Sequence, residues 1–386
     1  MDKAKVSVVV KKYTMVIALI LVTLFFTWKT GGKMLLPQNV TNLIAQNAYV
    51  FILATGMLLC ILTGGNIDLS VGSVVCFVGA VGGSLMVNKH VNTYLAILIM
   101  LGVGLLIGAW QGFWIAYVRI PPFIVTLAGM LIFRGLSNVV LDGLTIAPMP
   151  DNYLELFNNY VVNPLGGNGI NLTCMLAGVL ACVIYLVVVF NGRRSRTKKG
   201  YETEPMAGVV VKSVIICAVI FAFMFRLAQY KGIPNVLVWV LVVILVYAYI
   251  TSKTTIGRYF YAVGGNEKAT KLSGINTDNV YFMAYLNMGF LSAMAALVTI
   301  ARLNSANPTA GTNYEMDAIG SCFIGGASAY GGTGTVPGVI IGATLMGVIN
   351  LGMNIMGVDS NYQKVVKGLV LLAAVIFDVV SKKKSQ

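Results

Sequence analysis

Long apolar runs alternate with short polar connections along almost the whole chain. Each run has 16 to 25 residues and few charges, the length that an α-helix needs to cross the hydrocarbon core of a bilayer. The pattern therefore predicts an all-α, polytopic membrane protein with about 10 to 12 membrane segments. The full-length runs are 13–28, 42–62, 71–87, 94–118, 123–141, 172–190, 209–227, 233–250, 281–301, 336–356 and 365–380.

Two stretches interrupt this pattern. Residues 142–171 contain three prolines and many polar side chains, so we expect an external connection there. The apolar segment 317–330 is too short to span comfortably and runs into the glycine-rich stretch 325–338, which indicates a half-helix or broken helix at membrane depth. Irregular backbone at that depth is tolerated only where protein or a water-filled cavity surrounds it.

The composition and the charge distribution agree with this class. Of the 386 residues, 58% are hydrophobic and 10% are charged, whereas soluble domains average about 25% charged residues. The net charge of +14 does not indicate a nucleic-acid partner, because 18 of the 27 lysines and arginines fall on one predicted side of the membrane, the cytoplasmic side by the positive-inside rule. We expect one transmembrane domain, 1–386, whose cytoplasmic segments are the N-terminal tail 1–12, the basic loop 191–208, the loop 251–280 and the C-terminal tail 381–386.

The most conspicuous polar segment is 257–276, GRYFYAVGGNEKATKLSGIN. Asn266 can cap a short helix, Glu267 stands in its first turn and can pair with Lys271, and Gly274 can end it with a positive φ. A helix of two turns is marginal by itself, so a partner must pack on it. Ala269 and Leu272 face one way and offer a small apolar knob, either to a partner protein or to the protein's own loops.

A second polar insert, TGGNIDLSVG, lies at 63–72 between two apolar runs. Its glycines let the backbone leave helical geometry, so that Asn66, Asp68 and Ser70 can point into an aqueous path. The alternative is that Asp68 or Ser70 caps the following helix, and the two interpretations are compatible.

Other polar residues stand at predicted membrane depth. Arg134 lies inside an apolar run, and such a residue marks either a functional site or a structural pair with an intramembrane acid. Asp317 and Glu315 stand at the mouth of the broken segment. Further candidates for lining a path lie near the ends of predicted spans, namely Phe123, Thr126, Asn304 and Asn307.

Two sets of glycines recur at four-residue spacing, which on a helix brings them to one face and permits close packing of membrane helices. They are Gly104, Gly108 and Gly112 and, near the C-terminus, Gly334, Gly338 and Gly342.

Several kinds of chemistry have no signature here. There is a single histidine, the six cysteines lie in or beside apolar runs without CxxC spacing, and no GxxxxGK[ST] motif for ATP is present. We expect neither a metal nor a cofactor, and no catalytic residue.

Four segments together resemble the membrane permease subunits of bacterial ATP-binding-cassette (ABC) importers for ribose, galactose and xylose. The likeness extends from about residue 43 to 378, and a hairpin with the sequences YETEP and YKGIP is similar to xylose-type and multiple-monosaccharide permeases. The four segments are TGGNIDLSVG at 63–72, YAVGGNEKATKLSGI at 261–275, YEMDAIGSCFIGG at 314–326 and GGTGTVPG at 331–338.

This resemblance implies a helical bundle of the vitamin-B12-importer type and a homodimer with the substrate path at its axis. It also implies a cytoplasmic ATPase and an extracytoplasmic sugar-binding protein as partners. In such permeases the GGN-containing loop carries the helix that fits a cleft of the ATPase. The residues that would form this coupling element here are Gly264, Gly265, Asn266, Glu267, Ala269, Leu272 and Gly274.

We therefore expect the transport subunit of an ABC importer for a monosaccharide, xylose or a related pentose or hexose. Within the same superfamily the substrate can instead be a nucleoside, a furanosyl signal or a branched-chain amino acid. From a different class, an ion-coupled secondary transporter would use Asp68 and Asp317 as cation or proton sites.

Overall fold

The structure is a computed structural model that describes residues 3–201, 203 and 205–383, and their side chains except at positions 3–13, 377 and 380–383. Within this range the chain folds into fifteen α-helices. A 3₁₀ turn at Lys33–Leu35 follows the first helix, and a π-helical turn at Ser84–Asn88 prolongs the third. The helices are α1 (Lys3–Lys29), α2 (Pro37–Leu62), α3 (Val71–Gly83), α4 (Thr93–Ala116), α5 (Pro122–Leu141), α6 (Asp151–Phe157), α7 (Leu172–Lys198), α8 (Met206–Ala228), α9 (Asn235–Lys253), α10 (Thr255–Gly265), α11 (Glu267–Leu272), α12 (Thr277–Leu303), α13 (Tyr314–Ile324), α14 (Val336–Ile355) and α15 (Ser360–Lys383).

The long helices coincide with the predicted spans. In the described part of the chain, nine helices are long and apolar enough to cross a membrane, namely α2, α3 with its π-helical turn, α4, α5, α7, α8, α9, α12 and α14. The apolar part of α1, Thr14–Lys29, is shorter, and α15 covers the predicted span 365–380. The predicted all-α, multi-pass architecture is confirmed.

Helix bounds differ from the predicted ones at several places. The described parts of the predicted tails, 3–12 and 381–383, belong to α1 and α15, and most of the predicted loop 251–280 is helical. The basic stretch after residue 191 is not a loop from its beginning, because α7 continues to Lys198; arginine and lysine favour helix and stabilise its C-terminal end. The connection 142–171 contains α6, whose Tyr153 is fully buried and donates a hydrogen bond to the Leu297 carbonyl (2.7 Å). The predicted tails 1–12 and 381–386 lie partly outside the described residues.

The centre of the bundle is formed by α2, α12 and α14. In the most apolar 18-residue windows of α2 and α12, 83% and 78% of residues are buried, whereas in α7 and α8 only 11% are. A helix that is apolar on all sides lies either in a protein core or in lipid. Burial therefore separates the central helices from a peripheral α7–α8 pair whose surface suits lipid.

The connections gather at two opposite faces of the bundle. At one face, which we call the α11 face, residues 63–66, Arg119, α10–α11 and 328–334 contact one another. At the opposite face, Ile146 pairs with Ala306 and Tyr160 pairs with Pro234 in isolated β-bridges. This grouping agrees with the alternation of the predicted crossings.

The region predicted as a broken helix contains α13, an 11-residue helix about 16 Å long, roughly half of a 30 Å hydrocarbon core. The segment before it does not stay at the opposite face. Gly311 lies so close to Gly72, in the first turn of α3, that a Cβ on Gly311 would stand 2.1 Å from the Gly72 carbonyl oxygen. Residues 306–313 therefore descend along α3, and α13 begins inside the bundle.

Candidate functional site

The short helix α11 forms as its local chemistry predicts. The Asn266 side chain accepts a hydrogen bond from the Ala269 amide (3.0 Å), and Gly274 follows the helix with φ +84°. Leu272 is 90% exposed and Ala269 is also exposed. The apolar side chain of Leu272 therefore does not pack against the described part of the chain, and the self-packing alternative is not seen for it.

Glu267 does not pair with Lys271 as expected. One carboxylate oxygen accepts hydrogen bonds from Arg119 (2.8 Å) and Thr277 (3.3 Å), and the other accepts from Tyr281 (3.0 Å). The reason for the difference is tertiary, because a guanidinium fixed by the fold competes better for the carboxylate than a solvated lysine on the same helix.

Arg119 also donates to Asp278, and its backbone takes a left-handed φ of +63°. Its guanidinium thus ties the α4–α5 connection both to α11 and to the first turn of α12. Partial burial works against ionisation of Glu267, but the hydrogen bonds from Arg119 and Tyr281 outweigh it and hold the pKa of Glu267 below its usual value. Since both side chains are more than a third exposed, the ion pair is worth at most about 1 kcal/mol and serves mainly to orient α11.

Three Gly-Gly pairs from distant parts of the chain meet directly behind α11. They belong to the sequences TGGN (63–66), VGGN (263–266) and YGGTG (330–334). A Cβ on Gly264 would stand 1.7 Å from the Leu62 carbonyl oxygen, and one on Gly65 would stand 2.0 Å from the Ala329 carbonyl oxygen. Only backbones without side chains can approach so closely, so these glycines join the three segments. We call this contact the glycine junction.

Hydrogen bonds reinforce the glycine junction. The Gly332 amide donates to the Leu62 carbonyl (3.1 Å), and the Tyr261 hydroxyl of α10 donates to the Gly334 carbonyl (2.9 Å). Residues 325–335 connect the half-helix α13 to α14. Backbone contacts therefore connect α10–α11 to the segment that follows the half-helix.

The polar insert 63–72 is folded inward. Asp68 and Ser70 are buried, and one Asp68 oxygen accepts hydrogen bonds from both the amide and the hydroxyl of Ser70 (2.8 and 2.6 Å). Gln111 of α4 donates to the Ser70 hydroxyl (2.6 Å). Asp68 therefore closes a turn with Ser70 ahead of α3, and neither residue caps the helix, because the N-cap residue Ser70 makes no side-chain hydrogen bond to the first turn. Asn66 is half-buried.

The remaining path candidates are not brought together. Thr126 is fully buried and bonds to the Pro122 carbonyl (3.0 Å), and Asn304 accepts a hydrogen bond from the Met149 amide (2.9 Å). Asn307 holds the turn at Thr309, and Phe123 is 56% exposed. Thr126 is the buried one of these four, and Asn304 and Asn307 also hold neighbouring backbone in this conformation.

Asp317 lies on α13 and is 1% exposed. One of its oxygens accepts hydrogen bonds from Tyr49 of α2 (2.6 Å) and from Lys367 of α15 (2.9 Å), so three helices meet at one carboxylate. Sequence reasoning missed both donors, although a lysine within a predicted span is the kind of residue that signals an intramembrane pair.

Arg134 has a structural role of a different kind from the predicted acid pair. Its guanidinium donates to the carbonyls of Pro308 (3.0 Å) and Ala310 (2.7 Å). These carbonyls belong to the segment that descends into the bundle, where irregular backbone needs hydrogen-bond donors from the protein; the Cys76 thiol also donates to the Pro308 carbonyl (3.5 Å). Arg134 therefore holds the irregular backbone ahead of α13.

The spaced glycines differ between the two sets. Gly104, Gly108 and Gly112 lie in the contact of α4 with α12, where a Cβ on Gly104 or Gly108 would stand 2.6 Å from a carbonyl oxygen of α12. Gly338 and Gly342 similarly face the end of α13. The expectation was wrong for Gly334, which lies before α14 with φ +147° and so is not on a helix face.

The geometry can be compared with known proteins. The model of the family described as "branched-chain amino acid transport system / permease component" matches residues 39–375. The chain is 35% identical over 373 residues to the xylose transport system permease protein XylH of Escherichia coli strain K12, covering 97% of this chain and 93% of that protein. The Haemophilus influenzae XylH is 35% identical over 378 residues, covering 98% of each chain.

A further relative is the ribose import permease protein RbsC of Escherichia coli strain K12, which is 34% identical over 342 residues, or 88% of this chain and 85% of that protein. No solved structure matches the chain.

Proposed function

Since the chain belongs to the family of branched-chain amino acid transport system / permease components, we propose that it is the permease subunit of an ABC importer for a monosaccharide, xylose or a related pentose or hexose. The names of relatives that cover nearly the full length, xylose and ribose permeases, support this substrate class. The chain is a multi-pass membrane protein, and we place its α11 face and both termini in the cytoplasm.

The observation that carries the proposal is the exposed helix α11. Leu272 and Ala269 present an apolar knob to solvent while the other side of the same helix is fixed by Arg119, Tyr281 and Asn266. In the proposed complex this knob fits a cleft of a cytoplasmic ATPase, which supplies ATP hydrolysis.

The glycine junction supplies a route from the ATPase to the membrane. Binding of ATP would draw together the two ATPase subunits beneath a permease homodimer and shift α10–α11. Backbone contacts would carry this shift to residues 325–335 and to α13, so that the protomers rock between two states.

We place the passage at the axis of the homodimer, in a bundle of the vitamin-B12-importer type, with a sugar-binding protein delivering the substrate at the opposite face. Asn66, Phe123, Asn304 and Asn307 are not fully buried and stay candidates for lining this passage. Asp68, Ser70, Thr126 and Asp317 would contribute only in another conformation.

Reconstitution in liposomes tests the proposal. We expect uptake of labelled xylose or ribose only when the permease, the ATPase, the binding protein and ATP are all present. Uptake driven by a proton or sodium gradient without ATP would overturn it. Uptake of a nucleoside or a branched-chain amino acid in place of sugars would overturn the substrate class alone.

A single substitution tests the coupling role of α11. Leu272→Asp should abolish co-purification of the ATPase while the permease is still inserted, because an ionised carboxylate cannot enter an apolar cleft without a large desolvation cost. The matched control is Leu144→Asp, since Leu144 is 67% exposed at the opposite face. Equal ATPase recovery with both variants would show that the knob does not dock.

A further inference from the structure

A cavity of about 270 Å³ lies among the ends of α2, α12 and α14 near the opposite face and the first residue of α13. None of the path candidates chosen from the sequence lines it. Its polar walls come from four helices, and the residues are Gln46, Tyr49, Thr299, Arg302, Tyr314 and Asn354. Because these residues are scattered over more than 300 positions, only the fold makes them neighbours.

The lining suits a small polyhydroxylated molecule. Gln46 offers an amide and Arg302 a planar set of N–H donors, while the tyrosines offer both a ring surface and a hydroxyl. Among the described residues, none with a carboxylate lines the cavity. The volume is just below the range of about 300–1,000 Å³ usual for ligand pockets, so it fits one sugar ring rather than two.

Arg302 is the most informative residue of the lining. Arg302 lies in the last turn of α12 and is exposed. None of the described residues forms a hydrogen bond or an ion pair with its guanidinium. A guanidinium at the rim of a cavity with its donors unused is available to a ligand.

The floor of the cavity connects directly to the half-helix. Tyr49 and Tyr314 stack with ring centroids 3.5 Å apart and planes 11° apart. Tyr314 is the first residue of α13, and the hydroxyl of Tyr49 donates to Asp317 one turn further along α13. A ligand that contacts this pair of rings therefore also acts on α13, and the segment after the other end of α13 lies in the glycine junction.

We propose that this cavity is a transient binding site for the monosaccharide within each protomer, next to the face at which it arrives. Arg302 and Gln46 bind its hydroxyls, and the tyrosine pair forms the floor beneath it. The site rests on the proposed function, and it adds a place in the protein where α13 senses the sugar before the passage opens.

Protection of an introduced cysteine tests the site. The complex carrying Ala45→Cys, at a lining position with no assigned role in binding, is treated with a membrane-impermeant methanethiosulfonate from the binding-protein side, with and without xylose or ribose. The rate of labelling should fall in proportion to the unoccupied fraction of the site, so two-thirds occupancy lowers the rate about threefold. The matched control is Val162→Cys, which is 80% exposed at the same face and should react equally in both conditions.

Kinetics give a second, independent measurement. Arg302→Gln should raise the sugar concentration for half-maximal uptake about tenfold, the effect of losing one charge-assisted hydrogen bond, with the maximal rate and ATPase co-purification retained. Arg302→Lys should restore part of the difference.

The outcomes separate the two proposals. Absence of sugar uptake by the unsubstituted complex overturns the proposed function. Normal sugar uptake by the Ala45→Cys complex with labelling that sugar does not change overturns the cavity site alone. Protection by a sugar acid such as gluconate but by no neutral sugar also overturns it, because the site would then bind an anion.

Discussion

The Asp317–Lys367 pair allows a quantitative test of how the half-helix is held. Asp317 is 1% exposed and the Lys367 side chain is 16% exposed. Lys367→Met would leave a buried carboxylate with only the Tyr49 hydroxyl as its partner, whereas Asp317→Asn would leave an ammonium group that still reaches water. Removing one member of a buried pair costs about 3–5 kcal/mol. We expect the loss of stability to lie near the top of this range for Lys367→Met and near or below its lower end for Asp317→Asn.

The double variant is the decisive comparison. When both charges are removed, no ion is left buried, so the double variant should be more stable than Lys367→Met alone. Replacing a buried pair with uncharged groups is often neutral, and the coupling energy of the cycle should lie at or above about 2 kcal/mol.

Equilibrium unfolding in mixed micelles with sodium dodecyl sulfate, followed by circular dichroism, measures these free energies. Asp142→Asn serves as the control, because Asp142 is exposed at the end of α5 with φ +51°, a conformation that asparagine also adopts readily. Additive losses in the double variant would refute the idea that one ion pair joins α13 to α15.

Two further predictions concern the α11 face. Gly264→Ala should impair folding or uncouple ATP hydrolysis from uptake, because its Cβ would stand 1.7 Å from a backbone oxygen. Gly265→Ala has open space around its Cβ and should leave folding and coupling unchanged. ATP-driven uptake by each variant measures the difference. The pKa of Glu267 is lowered in the folded protein. Its contribution to folding stability is therefore complete above the unfolded-state pKa of about 4.3 and is lost as the pH falls through the lower folded-state pKa. Arg119→Gln should move this loss to higher pH and lower the free energy of unfolding at pH 6 by less than about 1 kcal/mol. Unfolding midpoints measured between pH 6 and pH 3 test this, and identical profiles would contradict the role of the ion pair.

The proposed sugar site and the ion pair meet at Tyr49, which stacks on Tyr314 and donates to Asp317. The first residue of α13, Tyr314, lines the cavity, Asp317 in its first turn binds Lys367, and the segment after its end lies in the glycine junction. If α13 is the moving element, variants at all three places should alter the coupling of ATP hydrolysis to uptake, even though they lie in different parts of the sequence.

Helix positions and the shape of α11 were determined by the sequence alone. Apolar runs of membrane length can be recognised as helices, because a lipid-exposed segment must satisfy its backbone hydrogen bonds within itself. The cap at Asn266 and the turn at Gly274 are local interactions between residues a few positions apart, so no tertiary information is needed to foresee them.

What only the tertiary structure decided is which distant groups meet. Glu267 has a local partner in the sequence, Lys271, yet binds Arg119, which lies 148 positions away. Asp68 is a plausible path residue by polarity, yet it is buried by Ser70 and the surrounding helices. Gly334 has helical spacing but lies in the junction loop, because periodicity describes a helix only where the chain is helical.

The glycine junction shows the same limit most clearly. Each Gly-Gly pair is visible in the sequence, and each by itself indicates only a flexible turn. Their convergence behind α11 depends on the packing of α2, α10 and α14, which brings three backbones within contact of one another. Contact between segments so far apart is set by the whole bundle, and no local pattern of residues encodes it.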